Sequence, residues 1–315
     1  MSLFTKNVRR NVRRFFRIDM PIRYFVTACA PTFECDIYTT GAKYHTPYVQ
    51  NQLAEQKKRT LKSLAHIQDQ KEVLTDIFVD IIRRVELFGE CCEMISRGHS
   101  PKFNKSLWQD LTSHQIGFNK IKPLKESSPK TYQHLKTIEE KYLFFLNRLI
   151  DSISKSTIDH FYAPDRLPEG FRIDELSQIF SDKKYDNIPL VQSILRCSEF
   201  ITTHTEIFRR IHDDHCLRQN PKNWPRQIAN VSAGGLGIFT DKSFDVHQRL
   251  HVHFYFPEVE KVIKFDGVVV HTQGDPLDRL ERIGISFEFP DGKDQTFLQS
   301  EIQRYEIEEC LSFEL

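Results

Sequence analysis

The sequence predicts an α+β fold in which an antiparallel β-barrel is interrupted by a long, coiled-coil-like helical insertion and followed by a C-terminal helix. Two observations support this prediction. Apolar residues alternate with period two near the N-terminus and again after residue 225, and between these segments they recur every three or four positions. The N-terminal strands are too few to fold alone, and the later ones would leave open edges. We therefore expect one barrel built from both ends of the chain.

The composition indicates a globular, cytoplasmic protein. The 315 residues carry a formal net charge of +1, which argues against a long DNA footprint, whereas the arginine-rich segment before residue 20 indicates a local anion site. No apolar run approaches the roughly 18 residues of a transmembrane helix, and no apolar segment follows the N-terminal arginines as in a secretory signal. Seven cysteines without a pairing pattern fit reduced thiols in a cytoplasm.

These patterns divide the chain into three segments. Residues 1–45 form a basic arm followed by strands at "IRYFVTA" and "FECDIYTT", residues 46–222 form the helical insertion, and residues 223–315 supply the rest of the barrel and the last helix. The third segment contains the strand-like runs "IANVSAGGLGIFT", "RLHVHFYFP", "KVIKFDGVVVHTQ" and "RIGISFEFP" before an amphipathic tail. The barrel is thus expected to draw most of its strands from the third segment.

The insertion begins with an apolar stripe that predicts one long helix. Its members are Leu64, Ile67, Leu74, Phe78, Ile81, Val85, Phe88, Cys92 and Ile95, with Lys71 as the one polar interruption. This spacing matches the seam of a coiled coil. Two shorter helices, near 130–155 and 189–218, would leave part of the stripe uncovered. We therefore expect a homo-oligomer in which a second copy covers Phe78 and Phe88. An antiparallel bundle within one chain is the alternative.

Two short motifs at opposite ends of the chain indicate a nucleotide site. The arm contains Arg-x-x-x-Arg, with Arg13 and Arg17 before the strand start "IDMP", and the run "NVSAGG" supplies Asn230, Ser232 and Gly235. Together with "FDGVVVHT" and "RIGISFEF", these segments resemble the PilZ domain. The resemblance implies a six-stranded barrel that binds the bacterial second messenger cyclic di-GMP.

The resemblance covers roughly residues 9–40 and 225–310, and more than two hundred residues separate its two motifs, where family members have a much shorter segment. It implies that the paired arginines bind phosphate or guanine, for which a planar guanidinium is suited. The other ligand residues that it implies are Asn230 as an acceptor for a guanine N–H, Ser232 as a donor to phosphate, Gly234 and Gly235 as close backbone, His271 as a stacking residue, and Arg9, Arg10 and Arg14 as auxiliary charge. The alternatives are a solvated arm, a plain hairpin turn and a strand-end histidine.

No other motif indicates chemistry. Packing or solvent exposure accounts for the pair His212 and His215, and for the pair His251 and His253, better than a metal site does. The sequence contains no nucleophile elbow, P-loop or paired carboxylate motif, so we expect neither an enzyme nor a cofactor. The favoured hypothesis is a cyclic di-GMP receptor that acts on an unknown protein partner. The alternative is a PilZ-like scaffold that assembles motility or secretion machinery without binding the ligand.

Overall fold

The computed structural model describes residues 16–29, 35–164, 166–168, 170–275, 277–288 and 292–312. Six strands form one closed barrel: β1 (Ile18–Ala28), β2 (Arg226–Ser232), β3 (Gly235–Thr240), β4 (Arg249–Phe256), β5 (Lys261–Gln273) and β6 (Glu281–Phe287). Their order around the barrel is β1-β2-β3-β6-β5-β4, and each neighbouring pair is antiparallel. The predicted six-stranded barrel, completed by the N-terminal strand, is therefore confirmed.

Strand alternation determines which side chains fill the barrel. In β4, Leu250, Val252 and Phe254 are buried inside, whereas His251 and His253 face outward and are partly exposed. The run "IANVSAGGLGIFT" is a hairpin of β2 and β3 rather than one strand, because the chain turns at Ala233 and Gly234.

The predicted strand "FECDIYTT" is wrong in its described part, residues 35–40, which contains no strand. Both edges of β1 are already paired, with β2 and with β4, so the closed barrel offers this segment no edge. Its backbone bonds to the helical insertion instead. The Ile37 N–H donates to the Gly98 carbonyl at 3.1 Å, and the Tyr38 N–H donates to the Thr157 carbonyl at 2.7 Å.

The described helices are α1 (Pro47–Ala65), α2 (Lys71–Ser96), α3 (Lys105–Ser113), α4 (Leu124–Ser127), α5 (Pro129–Lys155), α6 (Arg172–Phe180), α7 (Pro189–Arg218) and α8 (Gly292–Ser312). Proline at the first position begins α1, α5 and α7, where its missing N–H is not needed. None of the helices in these ranges combines the length and apolar character needed to cross a membrane.

Helix α7 is the centre of the insertion, because α1, α2, α5 and α6 all pack against it. Its observed bounds agree with the stretch 189–218 expected from the apolar spacing. The apolar stripe of α7 is buried along its length: Ile194, Cys197, Ile201, His204, Phe208 and Ile211. The last helix, α8, covers one side of the barrel and buries Leu298 and Ile302.

The single long helix predicted over residues 64–95 is wrong. Helix α1 ends at Ala65 and α2 begins at Lys71, and Gln70 between them adopts a left-handed conformation with φ 55°. The polar residue that interrupts the stripe therefore marks the start of a new helix. The break lets α1 and α2 both pack against α7, which one continuous helix could not do.

The apolar stripe is covered within one chain. Phe78 and Phe88 are both 0% exposed, and the Phe88 ring lies 6.1 Å from the ring of Phe208 in α7. The prediction that a second copy covers Phe78 and Phe88 is therefore wrong. The alternative, a helical bundle within one chain, accounts for the burial of the stripe. Self-association by some other surface stays a prediction.

Candidate nucleotide site

The pairing of β1 with β2 brings the two motifs together. Asp19 lies opposite Asn230 in this pair, and Arg17 immediately precedes β1. The Arg17 Nη1 lies 3.5 Å from Asn230 Oδ1, the long end of the hydrogen-bond range, although 213 residues separate them. A Cβ added to Gly235 would lie 3.4 Å from Arg17 Nη2. Arg17, Asn230 and Gly235 thus meet on the outer surface of the β2–β3 hairpin.

Asp19 orients the side chain of Asn230. The Asn230 amide Nδ2 donates to Asp19 Oδ1 at 2.7 Å, so its carbonyl oxygen points the other way, towards Arg17. The site therefore offers one guanidinium donor beside one carbonyl acceptor. The sequence motifs did not include Asp19, because its role depends on a strand partner more than two hundred residues away.

Ser232 holds the hairpin turn and does not face the ligand surface. The residue is 2% exposed, and its hydroxyl donates to the Gly235 carbonyl at 3.2 Å and accepts from the Gly234 N–H at 3.4 Å. Donation from this hydroxyl to a phosphate, as the resemblance implied, is not available in this conformation. Ser232 acts by fixing the turn that carries Gly235.

The turn is also held by two neighbouring elements, β6 and α8. The Phe287 N–H at the end of β6 donates to the Gly234 carbonyl at 3.1 Å, and Gln295 of α8 donates to the Ala233 carbonyl at 3.2 Å. Glycine is required at 235 because a Cβ there would lie 2.5 Å from the Ile285 carbonyl oxygen. The backbone of the turn is therefore fixed before any ligand arrives.

One row of outward positions crosses four strands. Asn230 of β2 lies opposite Gly237 of β3, Gly237 lies opposite Gly284 of β6, and Gly284 lies opposite His271 of β5. Two adjacent positions without side chains thus separate Asn230 from the exposed His271, about 14 Å apart at ordinary strand spacing. This strip carries no side chain that would keep a flat ring off the backbone, although Gly237 is buried and Gly284 is half-buried. A glycine inside an alternating strand is a sequence signal for such close approach, and Gly237 and Gly284 both carry it outside the two motifs.

The remaining candidate ligand residues are His271, Gly234 and the arginines of the N-terminal arm. His271 is exposed at the end of the glycine row, where a stacking role is sterically open, and Gly234 is half-buried in the turn. The arginines at four arm positions lie outside the described residues: Arg9, Arg10, Arg13 and Arg14.

His212 and His215 are both buried in the insertion, and the His215 ring stacks on Phe161 at 3.9 Å. Packing, as expected, accounts for this pair.

Comparison with known proteins supports the assignment of the barrel. The family model for the PilZ domain matches residues 210–306. Among solved structures, one similar chain is the Bacillus subtilis inhibitor of motility MotI/DgrA, at 25% sequence identity and a TM-score of 0.24; the match covers 26% of this chain and 42% of that one. A search of curated proteins found no match. The closed six-stranded barrel and the family match together show that this chain carries a PilZ domain, the barrel of a family of cyclic di-GMP receptors.

Proposed function

We propose that this protein is a cyclic di-GMP receptor whose ligand lies on the outer face of the β2–β3 hairpin. One observation carries the proposal: closure of the barrel places Arg17 beside Asn230 and Gly235 across 213 residues of sequence. The long interval between the two motifs is compatible with one site, because the insertion leaves and re-enters the barrel at adjacent strands, β1 and β2.

The site chemistry suits a guanine nucleotide with phosphates. A guanidinium can pair bidentately with phosphate or with guanine O6 and N7, and it can stack on a purine. The Asn230 carbonyl is an acceptor of the kind that a guanine N–H requires. The strip at Gly237 and Gly284 gives a planar base room against the backbone, and His271 at its end can stack on that base. In this proposal the arm residue Arg13 supplies a second guanidinium.

We further propose that ligand binding reaches the partner through the helical insertion, since charged contacts join it to the barrel. Asp214 of α7 accepts from both Tyr44 and Lys242 at 2.5 Å. Arg210 of α7 pairs with Asp241 after β3 at 3.0 Å. Helix α7 therefore contacts the end of the strand that follows the ligand turn. A cytoplasmic location follows from this proposal, because the messenger acts inside bacterial cells.

Calorimetric titration of the full chain with cyclic di-GMP tests the proposal. We expect the wild type to bind and the double variant Arg13→Ala/Arg17→Ala to bind two to four decades more weakly. That range corresponds to two lost charge-assisted contacts of about 1.5–3 kcal/mol each. The matched control is Arg59→Ala, which removes an exposed arginine of α1, paired with Glu55, far from the barrel. Its affinity should equal that of the wild type.

The outcomes separate the two hypotheses for this domain. If the double variant binds cyclic di-GMP with the affinity of the wild type, the arm is not part of the site. A wild type that releases no heat with cyclic di-GMP, while remaining folded, supports the scaffold alternative, in which the barrel binds no ligand. Cyclic di-AMP serves as the second ligand: equal affinity for both would show that the site does not select guanine. Comparing the rate of amide hydrogen exchange in α7 with and without ligand tests whether ligand binding is transmitted to the insertion.

A further inference from the structure

Three side chains with metal-binding atoms converge at the other end of β1, away from the nucleotide site. Cys29 follows β1, His251 lies in β4 and Asp266 lies in β5, and one ligand atom from each lies within 4.8 Å of the other two. Among the described residues this is the one group of three or more such side chains. The sequence places His251 beside His253, whereas Cys29 and Asp266 lie far from it along the chain, so sequence patterns do not indicate this group.

The contacts in this cluster meet at a single ring nitrogen. The Nδ1 of His251 lies 2.6 Å from Asp266 Oδ1 and 3.3 Å from Cys29 Sγ. A neutral imidazole nitrogen that donates its proton to the carboxylate cannot also accept a proton from the thiol. If Nδ1 carries the proton and donates it to Asp266, the Cys29 thiol finds no acceptor at that nitrogen. If Nδ1 is unprotonated, its lone pair faces the carboxylate of Asp266 with no proton between them. A cation between the three atoms satisfies all of them at once.

We propose that Cys29, His251 and Asp266 bind one divalent transition-metal ion of the zinc class. Thiolate, imidazole and carboxylate are the ligand types that zinc takes in proteins, and three protein ligands leave one position for water or another donor. In a tetrahedral site with ordinary zinc–ligand bonds, these atoms would be about 3.3–3.6 Å apart. The observed sulfur–nitrogen distance of 3.3 Å already fits, and the nitrogen–oxygen distance of 2.6 Å must lengthen by less than 1 Å.

The barrel holds the three ligands in place. His251 and Asp266 are directly opposite in the β4–β5 pair, and the Cys29 N–H donates to the Arg249 carbonyl of β4 at 2.9 Å. The competing cation is Lys264, whose Nζ lies 3.7 Å from Asp266 Oδ1 and whose side chain is 49% exposed, so it can turn away into solvent. The site is at the surface, because the His251 and Asp266 side chains are 28% and 58% exposed.

Binding has a defined proton balance. The Cys29 thiol loses its proton to solvent on forming the metal–sulfur bond. Where Nδ1 of His251 carries the ring proton, that proton moves to the other ring nitrogen, so the imidazole stays neutral. One proton is therefore released for each metal ion bound. The ligand site at Arg17 lies before the start of β1, and Cys29 lies after its end, so the two sites can be tested separately.

The test is cobalt titration of the metal-free full chain, followed by absorption spectroscopy. We expect one Co²⁺ per chain and a near-ultraviolet sulfur-to-cobalt charge-transfer band that Zn²⁺ abolishes by displacement. Cys29→Ser should lose the band, and His251→Gln and Asp266→Asn should weaken Co²⁺ binding at least about 10–100-fold. Circular dichroism checks that each variant is folded. All three variants should titrate with cyclic di-GMP as the wild type does.

Two control variants make the assignment specific. Cys310→Ser removes an exposed cysteine of α8, and His253→Gln removes the neighbouring outward histidine of β4; both should keep the band and the affinity. A folded wild type without the band at stoichiometric Co²⁺ would overturn the proposal. So would a band that persists in Cys29→Ser or disappears in Cys310→Ser.

Discussion

Asn230 of β2 donates its side-chain amide to Asp19 of β1 at 2.7 Å, across 211 residues of sequence. This bond lies inside the candidate nucleotide site and fixes the direction of the Asn230 carbonyl oxygen. Because the two residues are directly opposite in adjacent strands, the bond also reports correct pairing of the two ends of the chain. It therefore links the closure of the barrel to the geometry of the ligand site.

Reversing this pair should separate its structural role from its chemical one. Asn230→Asp alone places two carboxylates opposite each other, which should cost less than about 1 kcal/mol because the neighbouring Arg17 guanidinium offsets part of the repulsion. Adding Asp19→Asn restores a carboxylate–amide bond of reversed direction, so the melting temperature should recover. A double variant whose melting temperature is the sum of the two single effects would contradict this, since residues in contact are expected to couple.

The glycine row should tolerate a methyl group structurally but not functionally. A Cβ on Gly237 or on Gly284 would meet its nearest atom at 3.4 or 3.7 Å, which is ordinary contact. We therefore expect Gly237→Ala and Gly284→Ala to fold with little change in melting temperature, and to bind cyclic di-GMP more weakly, because the methyl lies where the base would lie. Calorimetry measures the affinity.

Two further glycines serve as references for that experiment. Gly170→Ala adds the same methyl where no atom lies within 4 Å, so both stability and affinity should be unchanged. Gly235→Ala brings a Cβ to 2.5 Å from the Ile285 carbonyl, so it should lose both stability and affinity. Full affinity in both row variants would mean that the ligand does not contact the strip.

The joint between barrel and insertion depends on Asp214. Its carboxylate accepts from Tyr44 and Lys242, and the Asp214 and Lys242 side chains are each only 15% exposed. Asp214→Ala leaves the buried ammonium without its anion, and we expect a loss of about 3 kcal/mol in the free energy of unfolding, measured in urea. In the exposed pair of Lys222 with Glu260, Lys222→Ala should leave the free energy of unfolding almost unchanged. Equal losses of stability in the two variants would contradict a structural role for Asp214 between the barrel and the insertion.

Acid should destabilise the protein through buried histidines. Burial lowers the pKa of His215 to about 3, whereas the unfolded residue titrates near 6.5. Below pH 6.5 His215 binds a proton in the unfolded state but not in the folded state, so the free energy of unfolding falls as the pH decreases. Between pH 7.5 and pH 5 this one group should cost about 2 kcal/mol.

The variant His215→Phe isolates this contribution. Phenylalanine can keep the stack on Phe161 and removes the titrating nitrogen, so the drop in melting temperature between pH 7.5 and pH 5 should become smaller than in the wild type. An identical acid response in His215→Phe and the wild type would assign the effect to other groups.

Local patterns in the sequence were enough to predict most of the elements. Period-two alternation located β1 and the strand-like runs after residue 225, and the three-to-four spacing with flanking prolines located α5 and α7 close to their observed bounds. The residue types of the two motifs indicated a nucleotide site, which stays a prediction, and the structure brings Arg17, Asn230 and Gly235 together. Both periodicities depend on neighbours within a few residues, which the sequence displays directly.

Tertiary structure alone decided which of these elements meet. The stripe at Phe78 and Phe88 looks the same whether a second copy or α7 covers it, and only the packing of α2 against α7 decided between them. The alternation around "FECDIYTT" suggested a strand, but a closed barrel had no edge left to pair with it. Ser232 turned inward, and Cys29 met His251 and Asp266, because closure of the barrel joins positions that are far apart in sequence. Periodicity states how a segment folds, but not what it will pack against.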